Sequence, residues 1–442
     1  MLNKLINEKT NMGFLYKTIQ NPYCIFFIIS YIGFLTMSFI GIENKTFRII
    51  STCIIILLSF KSLSQSSSKI YDEPIIQNFI LYIILCFPSL FFTSDIITCS
   101  FKLIELVLMA IFTIVGISNF NITNKFTIFK FTLSYYILQT SITMIGYLFD
   151  PKAIAVDTGF GSYVTFLRCN YPPIHANGLS AFGIIAGYYS LTLFINKWKK
   201  NHQIKAIIPY VAFFILSVYM IYLTSSRTGI ISGCIGLIFL AVKILNKYQK
   251  KITVCFGIIL AILFSQQIIE TTIHIMMKKQ DEKSLEKSEN IANTISSGRL
   301  EIWETILANP ADCILGKGFG TAVKEEKIGI GTNAHNSIVE LLISVGIFAT
   351  FFWIRLWYLL FKRYFWLCKY KYLLPCHIIW YHLATAILII SIIRSIGNLS
   401  FIYFDLACFA PIAIIALFVY STFYVKQRKR KILIRKKYLR SF

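Results

Sequence analysis

The sequence predicts an all-α, polytopic integral membrane protein of about twelve helices with one long loop on the non-cytoplasmic side. Three observations lead there. Of 442 residues, 56% are hydrophobic and only 14% charged, a balance that soluble domains do not reach. Apolar runs follow one another from Tyr23 almost to Val425, each near the roughly 20 residues that a helix rising about 1.5 Å per residue needs to cross the hydrocarbon layer. Lys and Arg collect in short stretches between those runs, as topology signals do.

Taken in order, the apolar windows predict spans over 23–41, 46–61, 75–93, 96–117, 127–149, 177–195, 206–224, 229–245, 252–270, 337–361, 376–394 and 403–424. The second is short and the fifth carries Lys130. The N-terminus is polar for its first stretch, holds Lys4, Lys9 and Lys17, and runs into apolar sequence without a small-residue cleavage site, so it reads as an uncleaved first span.

Orientation follows from the basic stretches. Lys197, Lys199, Lys200 and Lys205 lie in one connection, Lys243, Lys247, Lys250 and Lys251 in another, and Lys362, Arg363, Lys369 and Lys371 in a third; nine basic residues fall between Lys426 and Arg440. These belong in the cytoplasm, with both termini beside them. The connections 150–176, 225–228, 271–334 and 395–402 then face outward. The long one, Thr271 to Ala334, holds eight Lys or Arg against nine Asp or Glu, a balance that a translocated segment tolerates.

Net charge is +24, yet it lies on no single basic face, which excludes nucleic acid as a partner and leaves anionic membrane lipid as the counterion. Eleven cysteines show no metal-ligand spacing, and most sit inside apolar runs. Cys169 and Cys313 fall in outer loops, where a disulfide could form.

Four features gather on the outer side. Ser225-Ser226-Arg227-Thr228-Gly229 is a tight connection with an Arg at its centre, either an interfacial anchor or a ligand for an anion. Arg299 opens a helix, GRLEIWETILANP, inside the long loop; its guanidinium could grip phosphate oxygens in a planar fork or pair locally with Glu301 or Glu304. Asn333-Ala334-His335-Asn336 sets an imidazole at the mouth of the span that follows, as a general base or as part of an ordinary helix cap. Arg168-Cys169-Asn170-Tyr171-Pro172-Pro173-Ile174-His175-Ala176-Asn177-Gly178 is a stiffened polar approach to another span, in which His175 and Asn177 could line a site or Asn177 could simply cap. Gly316, Gly318 and Gly320 form GxGxG, but no strand precedes them, so they do not read as a nucleotide loop.

The SSRTG connection, the long outer loop with GRLEIWETILANP and LGKGFG, AHN followed after nine residues by Gly346, and the HANGLS approach resemble, in order and spacing, the O-antigen ligase and Wzy-type O-antigen polymerase superfamily over residues 165–400. Ala349 departs from the residues that ligases often show there. Hydropathy predicts N-terminal membrane helices over 1–149 and the basic residues a cytoplasmic tail at 425–442, while the resemblance implies a ligase/polymerase-like membrane domain over 150–424 that includes a periplasmic loop at 271–334. It implies a bacterial inner-membrane enzyme that moves a glycan from undecaprenyl pyrophosphate to a sugar hydroxyl at the periplasmic face, inverting the anomeric carbon, with no nucleotide-sugar donor, metal or cofactor.

Carried over by motif position, His335 is the base, and Arg299 and Arg227 stabilise the leaving diphosphate. Arg168, His175, Asn177, Asn336 and Arg394 are substrate-binding candidates. Partners are the lipid-linked oligosaccharide, an acceptor glycan that is either another lipid-linked repeat unit or the lipid A core, and membrane lipid, with room for a chain-length regulator. A composition rich in Ile, Phe, Lys and Tyr and poor in Ala favours polymerase over ligase by association. A transporter of the same lipid-linked sugar is the rival from another class; against it, the charged residues gather on one face and no internal repeat is visible.

Overall fold

A computed structural model describes residues 68–119, 127–149, 155–157, 165–167, 169–170, 173–174, 176–198, 207–224, 226–244, 299–322, 334–374, 377–397 and 409–440. The described residues are helical apart from two short ribbons and the turns between elements, beginning with a single helical turn at Ser68–Tyr71. The helices are α1 (Pro74–Cys86), α2 (Ile96–Asn119), α3 (Thr127–Phe149), α4 (Ala176–Trp198), α5 (Ile208–Leu223), α6 (Arg227–Ile244), α7 (Arg299–Leu307), α8 (Asp312–Leu315), α9 (Ser337–Lys369), α10 (Ile379–Gly397) and α11 (Phe409–Arg440). Among the described residues, five stretches are long and apolar enough to cross a membrane: Pro74–Phe91, Asn177–Trp198, Ser337–Lys369, Ile379–Ile396 and Ala410–Arg435. Every expected span within the described residues falls on a helix; those at 23–41, 46–61 and 252–270 lie outside them, as do 271–298 and 323–333 of the long loop.

Several boundaries differ from the sequence reading for identifiable reasons. The expected span 75–93 is a helix only to Cys86, after which Phe87–Phe91 form a 3-10 turn; Pro88 has no N–H to donate, and its ring crowds the carbonyl four residues back. From Phe409 onward the expected span 403–424 continues into the basic tail as one helix through Arg440, since the Lys, Arg, Gln and Leu of the tail are good helix formers with no Gly or Pro among them. The approach to α4 contains the ribbons, β1 (Ala155–Asp157) pairing antiparallel with β2 (Thr165–Leu167), and β3 (Cys169–Asn170) with β4 (Pro173–Ile174).

The helices pack as an antiparallel bundle with chemically distinct ends. At one end the start of α1 meets the later turns of α9 and the middle of α11: buried Glu73 is paired with Arg363, and Lys426 Nζ lies 3.9 Å away. Lys429 sits 3.4 Å from the Tyr370 ring centroid, and Lys130 caps the Trp380 ring at 5.1 Å. A carboxylate this buried needs such partners. Between the ends the core is made by Phe79, Tyr82, Tyr136, Tyr364, Tyr381 and Phe418, and the Tyr136 hydroxyl accepts from the Ala410 N–H at 3.2 Å. Outward faces of α1, α5, α6 and α9 expose Ile84, Ile215, Ile235, Phe351 and Tyr358, an inversion of the soluble pattern that suits a lipid surround.

α9 is broken inside its length. Gly346 has φ 82° and ψ 175°, which interrupts the ladder and leaves the carbonyls of Ile343 and Ser344 to other donors. The Gly-rich turn after α8 supplies them: Lys317 N–H donates to Ile343 O at 2.7 Å and Gly318 N–H to Ser344 O at 3.0 Å. The GxGxG sequence is therefore a docking loop. Gly316, at φ 79°, passes so close that a Cβ there would stand 2.6 Å from Val345 Cα. Phe319 is fully buried beyond it, its N–H donating to Cys99 Sγ at 3.2 Å, and the Thr321 and Thr93 hydroxyls meet at 2.8 Å.

An added Cβ at Gly346 would collide with the Ile314 carbonyl, and a non-glycine residue in this backbone region costs about 1–3 kcal/mol by itself. Gly346→Ala is expected to lower the melting temperature and folded yield of the detergent-solubilised protein. Gly233→Ala, where the new methyl meets the flexible Ile184 side chain at 3.3 Å, should leave both near wild type in fluorescence-detected size exclusion.

Candidate functional site

At the end of the bundle opposite Glu73, a series of hydrogen bonds joins segments distant in sequence. α4 begins with Ala176 and Asn177, and Asn177 Oδ1 accepts from the Ser226 hydroxyl at 2.6 Å. Ser226 in turn caps α6: its Oγ accepts from the Gly229 N–H at 3.2 Å, satisfying one of the donors that a helix start leaves without intrahelical partners. The SSRTG connection is thus tied to HANGLS through cap chemistry, with Arg227 as the first residue of α6.

One turn into α4, Ser180 Oγ donates to the Asn177 carbonyl at 2.8 Å and accepts from Arg394 Nη1 at 3.1 Å. Arg394 lies in the last turn of α10 and is only 6% exposed, so its charge is held among neighbouring helices away from bulk solvent. Two residues on, the Ile396 carbonyl accepts from Asn336 Nδ2 at 3.2 Å, linking α10 to the start of α9.

Asn336 is also the N-cap of α9. Its Oδ1 accepts from the N–H groups of Ile338 at 2.9 Å and Val339 at 3.2 Å. Before it, His335 is half-buried and takes φ 52°, which no other non-glycine residue among those described does. On the other side, Ala334 is fully buried; its N–H donates to Glu340 Oε2 at 2.9 Å, and its carbonyl accepts from Trp303 Nε1 at 2.8 Å. Trp303 belongs to α7, the helix that Arg299 opens. Beneath this contact Ile306, Ala322, Val339 and Ile343 form a small apolar cluster with Ala334, fixing α7 against the first turns of α9. The Asp312 carboxylate and Lys317 pair at 2.7 Å beside it. Cys313 carries a free thiol packed toward the Ile306 carbonyl, and burial holds its pKa above the ordinary value.

Asn177, Asn336 and Arg394 thus share one hydrogen-bonded network with the SSRTG connection, and His335 sits on the same helix start as Asn336. Arg227 and Arg299 occupy the first positions of helices tied into this end, α6 through Ser226 and α7 through Trp303. Arg168 and His175 lie outside the described residues. Sequence reasoning did not single out Ser180, Trp303 or Glu340. A cap residue followed within five positions by Glu, and a Trp one turn after Arg299, were the available signals, but their partners are set by tertiary contact.

Chemically, this end suits an anion with a reactive neighbour. α4, α6 and α9 all start here, and helix N-termini carry partial positive charge. The guanidinium of Arg394 adds to it, while His335 sets an imidazole at the start of α9.

Comparison with curated proteins finds no match to this chain. Residues 212–354, from α5 past the Gly346 break in α9, match the family model for O-antigen ligase. The matched segment includes the SSRTG connection, α7, the docking loop and His335, and though it is well under half of the chain, it supports the O-antigen ligase and Wzy-type O-antigen polymerase superfamily that the motifs resemble.

Proposed function

We propose that the chain transfers an undecaprenyl-pyrophosphate-linked glycan to a sugar hydroxyl at the periplasmic face of the bacterial inner membrane, as a surface-polysaccharide polymerase. The observation that carries this reading is the network running from Asn177 through Ser226 and Arg394 to Asn336 and Trp303, which brings one end of the bundle together from four motif-bearing segments and α10. A lipid diphosphate reaches such a site from the bilayer, with its charged group at the interface and its chain in the hydrocarbon.

In this reading His335 removes the proton from the acceptor hydroxyl as that oxygen attacks the anomeric carbon. The carbon–oxygen bond to the diphosphate breaks with inversion, and the electron pair leaves with undecaprenyl pyrophosphate. Arg227 and Arg299, aided by the helix starts, stabilise the negative charge that grows on the leaving group. Asn177, Asn336 and Arg394 shape and hold the site, with Arg168 and His175 on the approach from the ribbons. The reaction needs no nucleotide-sugar donor, metal ion or other cofactor, and a chain-length regulator is a compatible partner.

The topology that goes with this function has twelve spans, a periplasmic loop over 271–334 and both termini in the cytoplasm. Its support is the clustering of Arg363, Lys426 and Lys429 at the end away from His335, as the positive-inside rule expects. A second reading, ligation of the finished chain to the lipid A core, is favoured by the description of the matched family model.

Two experiments test these statements. In a deletion strain complemented with His335→Ala or Arg299→Ala at wild-type protein level, lipopolysaccharide gels should show a single repeat on core, with the ladder reduced about 100-fold or more; bare core with chains stranded on the carrier would indicate the ligase instead, and full ladders would contradict the site. A fluorescent protein fused after Phe442 should fold and fluoresce, and alkaline phosphatase at the same position should be inactive; the opposite pair would overturn the orientation.

A further inference from the structure

The backbone around His335 is held from several elements at once. A non-glycine residue in the left-handed region persists only where its surroundings over-determine it, and here they do. The Ala334 N–H is taken by Glu340 Oε2, the Ala334 carbonyl by the Trp303 indole, and Asn336 is fixed to α9 and to the Ile396 carbonyl. Glu340 is 2% exposed; a carboxylate buried to that degree costs stability unless its oxygens are satisfied, so its placement under this turn is not explained by solvation.

We infer that Trp303 and Glu340 are positioning residues that clamp Ala334 through the peptide groups on either side of it and so hold the His335 imidazole at the reacting centre. The inference rests on His335 being the general base. Trp303 gives the clamp a second role. It stands one helical turn from Arg299 on α7, so the helix that presents the diphosphate-binding arginine is hydrogen-bonded to the residue next to the base. The same contact therefore ties the helix that begins at Arg299 to the residue before His335, so that the two elements keep one relative position, which is the alignment that transfer between two large substrates requires. Loss of the clamp should leave donor binding intact and impair the chemical step.

The test uses the full chain in lipid nanodiscs with undecaprenyl-pyrophosphate-linked repeat units, measuring kcat, KM for the lipid donor and thermal stability. Trp303→Phe keeps the ring in the apolar cluster and removes only the N–H, and should lower kcat about 10-fold with KM within about 2-fold. Glu340→Leu keeps volume but removes the acceptor and should lower kcat about 100-fold, whereas Glu340→Gln, which retains an amide oxygen for the Ala334 N–H, should recover most of that loss. If Glu340→Leu does not fold, Trp303→Phe against Glu340→Gln decides. Wild-type kcat in Trp303→Phe and Glu340→Leu, alongside an inactive His335→Ala, would overturn the clamp and leave the base in place. Loss of kcat matched by an equal loss of folded protein would also overturn it. An active His335→Ala would instead remove the base assignment on which the clamp depends.

Discussion

The break in α9 at Gly346 is the constraint on which the His335 end of the molecule depends. A regular helix would consume the carbonyls of Ile343 and Ser344 internally; the φ of 82° at Gly346 releases them, and Lys317 and Gly318 take them up. That docking anchors the chain between α8 and Thr321, and with it the cluster of Ile306, Ala322 and Val339 that seats α7 on α9. Only with α7 seated can the Trp303 indole reach the Ala334 carbonyl. A single backbone torsion in α9 thus fixes how α7 and the Gly-rich loop lie beside His335.

The two ends of the bundle solve opposite electrostatic problems. Near Glu73 the positive charges of Arg363 and Lys426 are partly neutralised by one buried carboxylate, and others lie over the rings of Tyr370, Trp366 and Trp380, where the quadrupole of an aromatic face replaces some lost hydration. At the opposite end, helix starts, caps and the buried Arg394 face together. An end rich in N–H groups and guanidinium, next to a hydrocarbon phase, is a physical match for an amphiphile with a diphosphate head.

Much of this was legible in the sequence, because the signals were local. Apolar runs of the right length located the helices, and the motifs HANGLS, SSRTG and AHN lie at helix starts that cap chemistry makes recognisable, as Asn336 and Ser226 show. Other features depend on partners far away in the chain. The role of LGKGFG could not be read without knowing that Gly346 opens a gap for it. The contact from Trp303 to Ala334 crosses 31 residues, and that of Arg394 to Ser180 crosses 214; neither has a periodicity to betray it. The helical continuation of the basic tail was hidden by its charge, which marks an expected membrane boundary even where backbone propensity carries the helix onward.

The central claim is that His335 and the arginine-bearing helix starts around it carry out glycan transfer from a lipid diphosphate. Its most direct test is release of undecaprenyl pyrophosphate from the lipid-linked repeat unit by the purified protein in a bilayer, followed together with formation of the new glycosidic bond. The account predicts that wild type yields the two products in equal amounts, while His335→Ala binds the donor and yields neither. Equal release by His335→Ala, or passage of intact donor across the bilayer without release, would contradict it.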